Sequence, residues 1–323
     1  MTNVLLQVRN LKAYYETETE PVRAVDGVTF KVSEKEILGI AGESGCGKST
    51  LASAIMRLLK PPGYIKEGEV LFMGQDLLKL DEEELRKIRW KHISYIPQGS
   101  MNSLNPVMKI EEQIADAIKT HEGDVSEGEL KKRVSELLLS VGLAPEVAKM
   151  YPHELSGGMR QRVIIAMAIA LTPELVIADE PTTALDVVVQ RGIVQLLRHI
   201  RDKFGSSIII ITHDIAILAE IVDKIAIMYA GKIVEIGDVF SLFKRPLHPY
   251  TQALISAIPS IKEKKELHGI SGFPPDLRSP PPGCRFHPRC PYIMRGRCDV
   301  REPELIEVMP GRLVACHLYG ESS

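Results

Sequence analysis

The chain has 323 residues, of which 45% are hydrophobic and 25% charged; this is enough apolar material for a folded core, and it excludes global disorder. Lysine and arginine total 40 and aspartate and glutamate total 42, so a dominant basic surface for nucleic acid is not expected. At about 150 residues per domain, the length suggests two domains.

The longest apolar run, residues 163–171, is much shorter than the roughly 20 residues that cross a bilayer. The N-terminus lacks the basic start and the small-residue cleavage site of a signal peptide. We therefore expect a protein that stays in the compartment where it is made. If it works at a membrane, another chain must hold it there.

Short apolar runs alternate with helical stretches along the first part of the chain. In chain order, the patterns predict strands at 28–32 and 36–41, helices at 48–59 and 159–171, a strand at 175–179, a helix at 188–203, a strand at 207–212 and a hairpin at 224–236. This order indicates an α/β domain with a mostly parallel sheet and an antiparallel part. Of the 21 prolines, 12 follow Gly237, which predicts a domain at 1–237 and a loop-rich extension at 238–323.

The strongest local motif lies between the predicted strand 36–41 and the predicted helix after it. Residues 42–49 read Gly-Glu-Ser-Gly-Cys-Gly-Lys-Ser and fit the phosphate-loop pattern in its expected context, which disfavours a chance glycine-rich turn. Lys48 supplies a charge for the β and γ phosphates of ATP, and Ser49 supplies a hydroxyl for Mg²⁺. The backbone that cradles the phosphates is assigned to Gly42, Ser44, Gly45, Cys46, Gly47 and Thr50 in addition.

Two carboxylates end the predicted strand 175–179. Asp179 is placed to hold Mg²⁺, usually through water, and Glu180 is placed to polarise the attacking water. A solvated acidic pair at a strand end is the alternative. The phosphate loop in the same chain favours the catalytic interpretation.

Further motifs follow the order found in ATP-binding-cassette (ABC) ATPases. Residues 155–162, Leu-Ser-Gly-Gly-Met-Arg-Gln-Arg, resemble the signature sequence of that family. Four other positions resemble its glutamine loop, D-loop, switch histidine and adenine-stacking aromatic: Gln98, Asp186, His213 and Tyr15. The matches run from about residue 4 to 237, and the resemblance implies a P-loop fold with a mixed sheet and a helical subdomain at roughly 100–165.

The resemblance also implies how these residues act. Ser156 and Gly158 would meet the γ-phosphate bound by an opposite subunit, so a head-to-tail dimer with a second ATPase, identical or paralogous, is expected. His213 would donate a hydrogen bond to the γ-phosphate. Gln98 would reach both Mg²⁺ and the partner subunit. Tyr15 would stack on adenine, with its neighbour Tyr14 as the alternative.

Finer features resemble bacterial oligopeptide and dipeptide importers, a group that includes nickel importers. Residues 101–108, 248–251 and 283–291 carry this resemblance, together with Cys316-His317 near the end. Those proteins usually have Asp-Pro after the glutamine, whereas this chain has Gly99-Ser100, so its permease-facing loop is expected to differ. The resemblance implies two membrane permease subunits, an indirect extracellular solute-binding partner and a peripheral position on the cytoplasmic face of the membrane.

The C-terminal cysteines form a separate cluster in the sequence. Their spacing is C-x5-C-x7-C-x17-C, over Cys284, Cys290, Cys298 and Cys316. Four thiolates can hold Zn²⁺ or a [4Fe–4S] cluster, and spacing alone leaves both open, as well as two disulfides or unligated thiols. The subfamily resemblance favours [4Fe–4S]. His287 and His317 lie beside cysteines and are alternative ligands.

We therefore interpret the chain as the ATPase subunit of a peptide importer. One alternative is an ABC ATPase of nucleic-acid maintenance, and another is an importer of nickel or another small solute. A third is a metal-binding regulator that uses nucleotide as a switch, which intact Glu180 and His213 disfavour. The sequence does not identify the transported solute.

Overall fold

The computed structural model describes residues 3–258 and 269–319. The chain divides into two compact units: unit 1 comprises residues 1–78 and 211–323, and unit 2 comprises residues 79–210. The predicted boundary between 237 and 238 lies inside unit 1. The separate extension thus stays a prediction, and its residues 259–268 and 320–323 lie outside the described residues.

The described residues contain both strands and helices. The strands are β1 (Val4–Tyr15), β2 (Val22–Ser33), β3 (Ile37–Ala41), β4 (Gly63–Phe72), β5 (Gln75–Asp76), β6 (Ile93–Ile96), β7 (Leu175–Asp179), β8 (Ser207–Thr212), β9 (Lys224–Tyr229), β10 (Lys232–Asp238), β11 (Ile306–Met309) and β12 (Arg312–Val314). The α-helices are α1 (Lys48–Ile55), α2 (Glu82–Ile88), α3 (Ile110–Glu122), α4 (Glu127–Ser140), α5 (Gly157–Ala168), α6 (Val187–Phe204), α7 (Ile215–Ile221), α8 (Val239–Lys244) and α9 (Pro249–Ser256).

Unit 1 contains an antiparallel sheet in the order β2-β1-β4-β5. Val8 of β1 lies opposite Phe30 on one side and Val70 on the other, and all three side chains are buried. The register of β1 shifts after Val8, and Asn10 has a φ of +45°. This irregularity breaks the alternation of buried and exposed residues that marks a strand in a sequence.

Unit 1 also contains a group of strands with mixed directions. β3 pairs in parallel with β9, β9 pairs antiparallel with β10, and β12 and β11 follow beyond β10. The predicted 224–236 hairpin and the antiparallel part are thereby confirmed. All five residues of β3 are buried, as expected for a central strand covered on both faces, and its end at Ala41 leads into the phosphate loop.

In unit 2, β6 pairs in parallel with β7, and helices occupy most of the segment predicted as a helical subdomain. Two of these helices begin at motif side chains that cap free N–H groups. Ser156 accepts a hydrogen bond from Met159 N at the start of α5, and Asp186 accepts from Val188 N and Val189 N at the start of α6. Both predicted motifs therefore lie at helix N-termini.

The predicted helix at 48–59 ends early, at Ile55, because Arg57 adopts a left-handed φ of +50° that an α-helix does not accommodate. The predicted helix at 159–171 begins at Gly157 and ends at Ala168, with Thr172 at a φ of +48°. Among the described residues, no helix combines the length and the hydropathy that crossing a membrane requires.

Candidate functional site

The phosphate loop of unit 1 lies between β3 and α1, where close backbone contacts leave room only for glycine at two positions. A Cβ atom on Gly42 would lie 2.1 Å from the carbonyl oxygen of Met228, and one on Gly47 would lie 1.9 Å from that of Ala24. Gly47 also has a φ of +104°, which side chains rarely adopt. These glycines therefore hold the loop against the neighbouring strands.

Lys48 begins α1, and its side chain folds back over the loop. Its Nζ donates hydrogen bonds to the carbonyl oxygens of Gly42 at 2.8 Å and Glu43 at 3.0 Å. Burial raises the pKa of the Cys46 thiol, so the thiol stays protonated, and we expect Cys46 to contribute its backbone rather than its side chain to phosphate binding. The ammonium group of Lys48 is thus positioned by two carbonyl groups of the loop backbone.

Tyr15 and Tyr14 have different environments within unit 1. Tyr14 is buried, and its hydroxyl donates to Asp26 at 2.6 Å. Tyr15 is partly exposed, with its hydroxyl 3.3 Å from that of Thr50. Because stacking on a base needs an accessible ring face, Tyr15 remains the candidate.

The two acids of unit 2 lie at the end of β7. Asp179 is 1% exposed and accepts a hydrogen bond from the Tyr95 hydroxyl at 3.2 Å. Glu180 has a φ of +50°, a left-handed conformation that costs about 1–3 kcal/mol and is concentrated at functional sites. The Thr183 hydroxyl donates to Glu180 Oε2 at 2.9 Å, which fixes the carboxylate in this strained turn.

The other predicted residues of unit 2 occupy loops and helix starts. Gln98 follows β6 and is exposed, as are Ser156 and Asp186. Gly158 packs closely on α6: a Cβ there would lie 2.7 Å from Cγ1 of Val189. The segment after Gln98 is tied to α5 by the buried Ser100 hydroxyl, which donates to Gln161 Oε1 at 3.1 Å. His213, exposed after β8, belongs to unit 1.

The four C-terminal cysteines line one small cavity in unit 1, which His287 and His317 also line: Cys284, Cys290, Cys298 and Cys316. Sequence positions up to 32 residues apart are thus brought together, as a shared ligand site requires. His317 Nε2 lies 2.7 Å from the carbonyl oxygen of Arg301, and His287 Nδ1 lies 3.0 Å from that of Cys284. Both histidines therefore already form hydrogen bonds with the backbone. This favours the four cysteine thiols over the histidines as ligands of a bound metal or cluster.

Backbone N–H groups approach these sulfur atoms. Cys284, Cys290 and Cys316 each receive a hydrogen bond from the residue two positions later, and the N–H of Met294 lies 3.4 Å from Cys298 Sγ. Burial raises the pKa of Cys284 to about 12 and that of Cys316 to about 11. Within 3–258 and 269–319, no three His, Cys, Asp or Glu side chains stand in the arrangement of bound metal ligands. The cavity has room for about one water molecule.

Sequence reasoning missed several contacts around the candidate residues. Thr183 lies three residues after Glu180, a spacing that a search for nearby hydroxyl donors would find. Arg289 and Tyr250 both contact Glu43 of the phosphate loop. Each lies within a subfamily motif quoted above, but nothing local in the sequence indicates that either residue reaches a loop more than 200 positions away.

Two family models match the chain. The model described as "ABC transporter" matches residues 25–183, and the model described as "Oligopeptide/dipeptide transporter, C-terminal region" matches residues 234–298. The second match ends at Cys298 and includes three of the four cysteines.

Similar proteins cover nearly the whole chain. The dipeptide transport ATP-binding protein DppD of Caldanaerobacter subterraneus is 45% identical over 99% of this chain and 98% of its own length. The oligopeptide transport ATP-binding protein AppD of Bacillus subtilis is 44% identical over 99% and 98%. Among solved structures, the dimeric ATP-binding cassette MJ0796 bound to ADP and phosphate has a TM-score of 0.65 and 32% identity, covering 72% of this chain and 98% of that one.

Proposed function

The chain belongs to the ABC transporter family, and from that membership we propose that it hydrolyses ATP to drive the uptake of dipeptides or oligopeptides through separate permease subunits. The ABC cassette fold and the family predicted from the motifs are confirmed, and the metal-binding character of the C-terminal extension stays a prediction. The chain is an ATPase coupled to transport. The single observation that carries the peptide assignment is similarity to dipeptide and oligopeptide transport proteins over almost the full length.

In the proposed reaction, the phosphate loop and Lys48 bind the phosphates of ATP, and Ser49, Gln98 and Asp179 hold Mg²⁺ directly or through water. Glu180 orients the water that attacks the γ-phosphate, and its position is supported by the Thr183 hydrogen bond.

The remaining predicted residues complete the nucleotide site. His213 donates a hydrogen bond to the γ-phosphate, Tyr15 stacks on adenine, and Ser156, Gly158 and Asp186 act across a head-to-tail dimer. The dimeric state of MJ0796 supports this last step.

Glu180→Gln tests the catalytic assignment, because the amide keeps the shape of the carboxylate and loses its charge. We expect ATP binding within about threefold of wild type and turnover reduced at least 100-fold, measured by phosphate release. Glu174→Gln is the matched control, since Glu174 lies just before β7, where it contacts His92. Turnover above a tenth of wild type in the Glu180 variant would contradict the assignment.

The proposed partners are a second ATPase, identical or paralogous, two permeases and, indirectly, an extracellular solute-binding protein, with the chain peripheral on the cytoplasmic face of the membrane. The exposed Val107, 79% accessible, lies in the loop proposed to face a permease. The Gln113 side chain holds this loop through hydrogen bonds to the backbone of Asn105 and Met108.

Purification of the tagged chain from solubilised membranes tests these partners. Recovery of two permeases and a second ATPase is the expected result. ATPase activity stimulated by DNA without membrane association would instead support nucleic-acid maintenance, which the comparisons do not favour.

For the cysteine cavity, we propose a [4Fe–4S] cluster held by the four thiolates, with Zn²⁺ as the alternative. Two observations support it: the four thiols converge on one cavity, and backbone N–H groups are directed at the sulfurs, as they are around cluster thiolates. Because the cavity has room for only about one water molecule, the four side chains must move apart to take up a cluster. The bound group would supply folding energy to a segment rich in proline.

Anaerobic purification tests the cluster directly. Brown protein with about four iron and four sulfide per chain is expected, and Cys284→Ser should lose that iron. Cys46→Ser is the matched control and should keep it, because Cys46 lies in the phosphate loop. Colourless protein with one zinc per chain would establish the alternative.

A further inference from the structure

Two buried side chains from the part of the chain after β10, Tyr250 and Arg289, form hydrogen bonds with Glu43 of the phosphate loop. We propose that Arg289 and Tyr250 are positioning residues for nucleotide binding: they fix Glu43 and so hold the loop backbone in the form that receives the phosphates of ATP. This inference rests on the proposed phosphate-binding role of the loop. The test below distinguishes failure of that role from failure of the positioning role of Arg289 and Tyr250.

Arg289 holds the Glu43 side chain with two parallel hydrogen bonds. Its Nη1 donates to Glu43 Oε2 at 2.8 Å and its Nη2 donates to Oε1 at 3.0 Å, while Nε donates to the carbonyl oxygen of Ser271 at 2.8 Å. The Arg289 side chain is only 5% exposed, and its hydrogen bond to Glu43 raises its pKa. Such a two-pronged, charge-assisted pair fixes both position and orientation.

Tyr250 holds the Glu43 backbone. The N–H of Glu43 donates to the Tyr250 hydroxyl oxygen at 2.8 Å. Tyr250 is fully buried and packs on Tyr229, with ring centroids 4.5 Å apart, and on Phe286, with centroids 5.4 Å apart. Its hydroxyl is therefore fixed by a packed aromatic cluster rather than by a mobile surface side chain.

The same stretch of backbone positions the proposed phosphate-binding cation. Lys48 donates to the carbonyl oxygens of Gly42 and Glu43, so movement of Glu43 moves the groups that orient the ammonium. Arg289 also compensates the Glu43 carboxylate, whose uncompensated charge would repel a polyanion. Losing Arg289 therefore weakens ATP binding in two ways: the loop is less ordered and it is more negative.

The segment that carries Arg289 also borders the cysteine cavity, since Cys284, Phe286 and Cys290 line it. Arg289 directly precedes Cys290, and Phe286 packs on Tyr250. Arg289 and three of the residues that line the cavity therefore lie in one short segment, and Tyr250 contacts that segment through Phe286.

The test measures the dissociation constant of Mg-ATP for the full chain by titration with a fluorescent ATP analogue, together with kcat and KM for hydrolysis. Arg289→Met is expected to raise the dissociation constant and KM about tenfold or more, with a smaller change in kcat. Arg289→Lys should restore part of the affinity, because lysine keeps the positive charge but cannot form the second parallel hydrogen bond to Glu43. Adding Glu43→Gln to Arg289→Met should also restore part of the ATP affinity, because it removes the carboxylate that has lost its arginine partner.

The matched control is Arg278→Met. Arg278 lies in the same C-terminal stretch and also pairs with a carboxylate, Asp276, but both are about half exposed, so affinity within twofold of wild type is expected. If Arg289→Met does not fold, Tyr250→Phe takes its place, since it keeps the ring and removes only the oxygen that accepts from Glu43. A rise of severalfold in the dissociation constant is expected for it.

An ATP affinity within twofold of wild type in Arg289→Met, or in Tyr250→Phe, would overturn the inference. So would a loss in Arg289→Met that neither Arg289→Lys nor the added Glu43→Gln reduces, because that pattern marks general damage. Lys48→Ala separates the two proposals. If it binds ATP like wild type, the proposed role of the loop fails. If it loses binding while Arg289→Met keeps it, only the positioning role fails.

Discussion

Gly45 and Gly47 of the phosphate loop both have positive φ angles but differ in the space around them. This difference predicts how each position tolerates the methyl group of alanine. Gly45 and Gly47 have φ angles of +78° and +104°, so alanine at either position is strained. A Cβ on Gly45 meets no atom within 4 Å, whereas a Cβ on Gly47 would lie 1.9 Å from the carbonyl oxygen of Ala24. Gly45→Ala therefore measures strain alone, and Gly47→Ala measures strain plus displacement.

The displacement can be worked from the contact. An ordinary contact between carbon and oxygen is about 3.4 Å, so the loop or β2 must move by roughly 1.5 Å. A misplacement of about 1 Å at a reacting centre can lower the reaction rate about 100-fold, and we expect a loss of similar size in nucleotide affinity when the phosphate-binding loop itself is displaced. Strain in the left-handed region adds about 1–3 kcal/mol of instability in both variants. Nucleotide affinity should thus fall about 100-fold or more, about 2.7 kcal/mol, in Gly47→Ala only.

The assay combines equilibrium titration with a fluorescent ATP analogue and thermal unfolding of the same samples. Gly45→Ala should bind within about threefold of wild type, with a lower unfolding temperature. Gly47→Ala should show a similar or greater fall in unfolding temperature and almost no binding. Equal affinities for the two variants would refute the reasoning, because the clash would then have no effect on the loop.

Two further predictions concern stability. Arg312→Met should destabilise the chain by about 3–5 kcal/mol in urea unfolding, because it leaves the Glu235 carboxylate, 0% exposed, without its ion pair; Arg278→Met, at an exposed pair, should change stability little, and equal effects would contradict this. Asp186→Ala should cost about 1 kcal/mol by removing the cap of α6, whereas Asp186→Asn should keep stability and lose turnover; a fully active Asn variant would leave Asp186 as a cap alone.

Local patterns in the sequence were sufficient for the parts of the protein that are local in space. The phosphate loop, the acids after β7 and the 224–236 hairpin each occupy a few consecutive residues, so spacing and polarity identify them. The first strand, β1, was not predicted because the bulge around Asn10 shifts its register and hides its alternation. The early end of α1 depends on one left-handed residue, Arg57, which no propensity indicates.

Contacts between distant segments were beyond sequence reasoning. The four cysteines gave a prediction because their residue type carries its own chemistry, which suggests a common site before any fold is known. Arg289 has no such signature, since a surface arginine and a buried one look alike in a sequence. Its partner, Glu43, occupies a position where the phosphate-loop pattern allows any residue. Only the folded structure shows that the two side chains meet.

The contact between Glu43 and Arg289 joins residues 246 positions apart, and this separation sets an order of events during synthesis. A ribosome adding about 5–20 residues per second needs roughly 10–50 seconds to make the intervening chain. The phosphate loop therefore leaves the ribosome well before Tyr250 and Arg289, the residues that hold its Glu43. A chain released before residue 289 would carry the whole ATP-binding motif without its support, so incomplete products would compete poorly for nucleotide.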